Sequence, residues 1–162
     1  MNAITAQPLT ATAFAPFGEV LEVAAPPTKI INQGLCGRWH DLATLDFGPG
    51  GRAGISLFQA QPRTLPLQLE MLERHPEGSQ AFIPMGADPF LVIVAPDAGG
   101  VPGAPLAFVT NGAQGVNYRR GTWHGVLCPL AAPGLFAVVD RIGATPNLQE
   151  HWLTPPLSVV AG

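Results

Sequence analysis

The chain has 162 residues, 47% of them hydrophobic and 12% charged, with a formal net charge of −3. Those values fit a single domain, residues 1–162, with one substantial core, and they exclude a disordered chain. Lys29 is the only lysine, so there is no basic footprint for displacing counterions from nucleic acid.

In chain order, the N-terminus shows neither a basic n-region nor a long apolar h-region, which predicts a cytoplasmic protein. Thr10 is placed to cap a short helical turn through Ala13 and Phe14. From there 19 glycines and 18 prolines punctuate short apolar runs, the pattern of many short strands joined by turns. The expected strands are 29–32, 54–59, 65–71, 80–85, 90–95, 106–109, 123–128 and 135–140. The run 90–95 is the longest apolar one and is far too short to cross a bilayer. Residues 95–105 read as a long Pro/Gly loop. Asn147 is placed to cap a second helical turn through His151, and the apolar 157–160 offers a contact strand for a partner. Cys36 and Cys128 form no CxxC pair and read as isolated thiols, not a disulfide. The predicted class is an all-β sandwich or barrel with minor short helices.

Two segments carry chemistry. In 65–75, one strand parity gives Leu65, Leu67, Leu69, Met71, Glu73 and His75. A row that fills a core and turns polar at its end suits the mouth of a barrel. Glu73 and His75 would then converge, as metal ligands or as an acid/base pair. The same run also permits a strand that stops near Met71, leaving both residues in a solvated turn before Pro76. In the second segment a glycine turn leads into Trp123 and His124. His124 shares parity with Val126 and Cys128 and is expected to face inward with them. The bland alternative is an edge histidine bonded to backbone.

Together the segments resemble the two motifs of the cupin barrel. Glu73-x-His75 stands in the place of HxH, Gln80 in that of the following glutamate, Gly86 after it, and Gly121-Thr122-Trp123-His124 matches GxxH. The residues from Leu72 through Glu73-Arg74-His75-Pro76-Glu77-Gly78-Ser79-Gln80 to Met85 resemble the ureidoglycolate lyase family specifically. So do Thr110 to Tyr118 with Trp123-His124 after them, and, more weakly, Phe14-Ala15-Pro16-Phe17-Gly18, Ile31-Asn32-Gln33-Gly34, Arg38-Trp39-His40-Asp41-Leu42, Val139-Asp140-Arg141 and Glu150-His151-Trp152. The likeness spans about Pro8 to Trp152 in order. Gly125 and Arg119 depart from it, standing where some members carry histidine.

The resemblance implies a cupin-like (RmlC-like) β-barrel, a homodimer, and cleavage of (S)-ureidoglycolate to glyoxylate and urea in allantoin breakdown. It also implies that Glu73, His75, Gln80 and His124 meet at one site. That mixed N/O set suits a divalent first-row metal, nickel being favoured by the resemblance. Such a reaction needs a carboxylate anchor, a base for the hydroxyl proton and an acid for departing urea. Arg38 and Arg141 are expected to hold the carboxylate. His75, His124 and Glu73 supply base and acid. Gln80, Asn117 and Asn32 match the ureido end, Tyr118 and Trp123 wall the pocket, and Asp140 orients an arginine or histidine. Rival readings are an amidohydrolase that releases ammonia, another cupin activity, and a non-catalytic cupin that only binds a small carboxylate.

Overall fold

The structure is a computed structural model and describes residues 3–162. Among these residues the chain is almost entirely strand and turn, as its Gly/Pro punctuation predicts. The one α-helix among the described residues, α1 (Ala11–Phe14), begins where expected, with Thr10 Oγ1 accepting from Ala13 N at 3.2 Å. No helix among the described residues is long and apolar enough to cross a membrane.

The larger sheet has the order β1 (Ala3–Thr5), β15 (Gln149–Val160), β7 (Leu67–Arg74), β12 (Trp123–His124), β9 (Phe90–Ala95), β10 (Leu106–Val109), β2 (Gln7–Pro8), and β13 (Cys128–Pro129) also joins β9. Its two edge strands are consecutive in the chain, parted only by Ala6. Ala6 N donates to Val160 O at 2.9 Å, and Leu9 N to Val109 O at 2.9 Å. One N-terminal segment therefore binds both edges, and the sheet nearly closes into a barrel, which removes exposed edges. The second sheet has the order β3 (Gly18–Leu21), β11 (Gly115–Tyr118), β8 (Gln80–Pro84), β14 (Leu135–Ile142), β6 (Arg52–Gln59). A separate ribbon pairs β4 (Lys29–Ile31) with β5 (Cys36–Arg38) across the 3-10 turn Asn32–Gly34.

β9 shows how the layers are arranged. All six of its residues are buried. Phe90, Val92 and Val94 belong to the core shared with the second sheet, beside Phe82, Val116, Tyr118, Phe136 and Val138. Leu91, Ile93 and Ala95 belong to a second core with Leu69, Leu72, Trp123 and Val159. A strand covered on both faces needs apolar residues at every position, which is why 90–95 is an unbroken apolar run.

Several expectations are corrected. The strand at 65–71 begins at Leu67 and continues through Arg74, and its most buried residue is Leu72, at 0% exposure and of the opposite parity to the expected row. Gln68 and Glu70 are exposed, while Leu69 and Leu72, of opposite parity to each other, both join the second core. The expected strand 123–128 is two short strands. His124 pairs with Val94 and Cys128 with Leu91, so four steps on one side span three on the other. That β-bulge reverses the parity, and Cys128 joins the second core while His124 turns to the inter-sheet face. The expected helical turn at Asn147 is absent, because Gln149–Val160 forms the twelve-residue β15. Its register on β7 shifts between Trp152 and Leu157, a bulge that accommodates Pro155 and Pro156. The segment 157–160 is no free contact strand: it is hydrogen-bonded to β7 on one side and β1 on the other.

Candidate functional site

The site lies where β7 ends and the chain crosses from one sheet to the other. Glu73 sits on β7 directly opposite His124 on β12. His75 follows the last residue of β7, and Gln80 opens β8 in the second sheet. There Gln80 pairs with Tyr118 on one side and Asp140 on the other, which makes a row of three. The row faces the Glu73–His124 pair, and the Tyr118 ring lies flat on the His124 ring, with centroids 4.3 Å apart and planes at 4°.

His124 is 2% exposed. Its Nδ1–H donates to the Gly125 carbonyl at 2.9 Å, which leaves Nε2 as a bare lone pair. That atom is buried and has no hydrogen-bond partner. A buried polar atom without a partner is costly, so its persistence marks a place for a ligand. Burial, followed by the neighbouring His75, holds the His124 imidazole down to about 3, so the ring is neutral at physiological pH.

His75 is framed differently. Nδ1 lies 2.8 Å from the Asn147 carbonyl and Nε2 3.1 Å from Gln80 Oε1. Glu73 Oε1 stands 4.0 Å from that Nε2. Both ring nitrogens face oxygens, and Nε2 lies on the side of Gln80 and Glu73, an arrangement suited to a cation at Nε2. The Asn147 side chain pins the same turn, its Oδ1 accepting from Glu77 N at 2.7 Å. Burial raises the Glu73 carboxyl above the usual carboxylate range; His75 opposes this and Glu150, its cross-strand neighbour, adds to it.

One ligand atom from each of Glu73, His75 and His124 falls within 4.8 Å of the others. Metal–ligand bonds of about 2.0–2.2 Å put opposed ligands about 4 Å apart, so the set fits a divalent ion. The lone pair of His124 Nε2 and the Gln80 carbonyl oxygen beside His75 strengthen that fit.

The structure thus brings together Glu73, His75, Gln80, His124 and Tyr118. It does not bring the others to them. Trp123 lies in the second core, its Nε1 donating to Asp97 Oδ1 at 3.0 Å beneath the Arg74 guanidinium, 4.4 Å from the ring centroid. Asn117 donates to Glu19 Oε2 at 2.8 Å. Arg141 donates to the carbonyls of Phe47 and Pro49 and pairs with Glu77 at 3.3 Å. They neighbour His124, Tyr118 and Asp140 in turn, and alternation puts each on the opposite face of its strand. Arg38 and Asn32 sit exposed on the β4–β5 ribbon, with no hydrogen bond to the site. Asp140 engages neither an arginine nor a histidine; its Oδ2 accepts from Gln80 Nε2 at 3.1 Å. The Asn147 carbonyl was missed altogether, since a backbone acceptor leaves no mark in side-chain pattern.

The family model described as "Ureidoglycolate lyase" matches residues 1–160. A protein of Rhodobacter capsulatus named "Ureidoglycolate lyase" is 60% identical over 98% of this chain and 99% of its own length. "Ureidoglycolate lyase 2" of Rhizobium meliloti is 49% identical over 94% of each chain. A Chelativorans protein named "Ureidoglycolate lyase" is 49% identical over 98% of this chain and 97% of its own.

Proposed function

The chain belongs to the ureidoglycolate lyase family, and from that premise we propose that it cleaves ureidoglycolate into glyoxylate and urea at the Glu73–His75–His124 cluster. The observation that carries the site is the buried, unpartnered Nε2 of His124 beside a carboxyl held above its usual range.

Glu73 is the proton carrier. As carboxylate it takes the proton of the substrate hydroxyl, the oxygen pair closes the C=O bond of glyoxylate, and the C–N bond breaks. The electron pair leaves on the ureido nitrogen, which then takes the same proton from the Glu73 carboxyl. A raised pKa suits both halves, since the group must accept and then release at near-neutral pH. Tyr118 holds the His124 ring in place, and the two core layers exclude water. Glu73, His75, Gln80 and His124 are the residues able to hold a divalent ion, nickel first among candidates; with Glu73 kept as proton carrier, His75, Gln80 and His124 remain to ligate it. When bound, such an ion supplies positive charge for the substrate's carboxylate and hydroxyl oxygens and acidifies the hydroxyl. That charge is needed, because no arginine hydrogen-bonds or ion-pairs with these four side chains in the described residues.

The test is product analysis on ureidoglycolate, with the spontaneous decay subtracted. Equal urea and glyoxylate are expected, with loss on chelation and recovery on Ni²⁺. Ammonia in place of urea would replace the reading by the amidohydrolase, and no product by a binding cupin.

A homodimer belongs to the same proposal. Leu57, Ala137 and Ile83 align in register across β6, β14 and β8, as do Ile55, Val139 and Ala81. Ile55 is 78% and Leu57 64% exposed. An apolar sheet face of this kind marks an association surface. Sedimentation should give a dimer for the wild type and a monomer for Ile55→Glu/Leu57→Glu.

A further inference from the structure

A primary amide carries donors at one end and an acceptor at the other, so its orientation decides what it offers. The Gln80 amide is buried, at 5% exposure, between Asp140 and His75. Its Nε2 is 3.1 Å from Asp140 Oδ2, and its Oε1 is 3.1 Å from His75 Nε2. With Nδ1–H committed to the Asn147 carbonyl, His75 Nε2 accepts in the neutral ring and donates in the doubly protonated one, so it fits either end of the amide; a carboxylate only accepts, so Asp140 fits one end alone. We propose that Asp140 is a positioning residue that locks the Gln80 amide with its carbonyl oxygen toward the site.

The alternative orientation shows what the lock prevents. With the amide reversed, its NH₂ would donate to His75 Nε2 while Nδ1–H still donates to the Asn147 carbonyl. Both ring nitrogens would then be satisfied by protein, the Nε2 lone pair would be consumed, and the oxygen of Gln80 would be turned away. For the neutral ring, only the clash of Oε1 with the Asp140 oxygens opposes this. In the register, Gln80 stands directly opposite Asp140 on β14, so backbone pairing fixes the two side chains at contact distance. The proposal rests on the lyase reading for its consequence, though not for its geometry.

The experiment exchanges the partners. Asp140→Asn removes the obligate acceptor, since the amide it introduces can rotate to either role and Gln80 is free to reverse. Asp140→Asn/Gln80→Glu moves the amide to position 140 and the carboxylate to position 80, where its oxygens face both the introduced amide and His75. Ni²⁺ affinity by calorimetry and turnover of ureidoglycolate should each fall about 10–100-fold in the single variant, the usual range for supporting residues, and recover in the exchange. In metal-free protein, NMR should place the Gln80 amide protons near Asp140 in the wild type and near the His75 ring in Asp140→Asn. Wild-type amide protons beside His75 would overturn the proposal without any variant. So would an exchange that folds, by circular dichroism, but recovers neither reading. A wild type with no lyase activity and no Ni²⁺ binding would sink the proposed site, while the NMR contacts would still decide the orientation of the amide.

Discussion

Glu73 and His124 face each other across one strand pair, yet they titrate in opposite senses, and each sense yields a measurement. A half-buried carboxyl that carries a proton both ways loses its function when made an amide of the same shape. Glu73→Gln should lower kcat by roughly 10²–10⁴-fold, the usual worth of a general acid–base, with KM changed far less. Steady-state kinetics on ureidoglycolate check it; an unchanged kcat would remove Glu73 as proton carrier. For His124 the readout is stability. Its folded pKa of about 3 lies below the unfolded value of 6.5. Between these, the unfolded chain binds a proton that the folded chain refuses, so stability is complete above about pH 6.5 and is lost as pH falls. The loss from this group between pH 7 and pH 5 is about 2 kcal/mol, from about 1.36 kcal/mol per unit. Urea midpoints of metal-free protein at the two pH values should show it, and His124→Gln should flatten that part of the slope. At this scale the motifs picked out Glu73, His75, Gln80 and His124, although the parity row that first suggested Glu73 and His75 does not carry the strand's most buried residue. Trp123, Asn117 and Arg141 were misplaced because alternation is unforgiving, and a neighbour in sequence is on the far face in space.

At the level of the element, β7 is the strand that ties chemistry to packing. It carries Glu73 toward the second sheet and Leu72 into the opposite core. Leu72→Ala should cost about 2–5 kcal/mol by leaving a cavity at a fully enclosed position. Chemical denaturation measures this directly, and a loss below about 1 kcal/mol would show that the site collapses around the smaller side chain. Strand 90–95 was fully readable, because double-sided burial writes itself as an unbroken apolar run. β15 was not readable, since Pro155 and Pro156 argue against a strand and a bulge overrides that argument. The bulge between His124 and Cys128 was equally hidden: a one-residue slip reverses parity without any change in composition. Gly125 marks its place, donating to the Ile93 carbonyl at 2.8 Å, with room for a Cβ only 3.2 Å from that of Ile93.

For the whole molecule, the all-β class followed from punctuation, whereas the closure of the larger sheet did not, because pairing of β1 and β2 with opposite edges depends on contacts about a hundred or more residues away. That closure has a mechanical consequence. β1 and β15 run parallel, Ala3 beside Ser158 and Thr5 beside Val160. A force pulling the chain ends apart therefore drags the two strands along their length in opposite directions. Their hydrogen bonds are loaded together in shear and do not peel one at a time. Stretched from its ends in an optical trap, the domain should resist as a clamp and yield in one abrupt event, whereas stretched across β4 and β5 it should part gradually at low force.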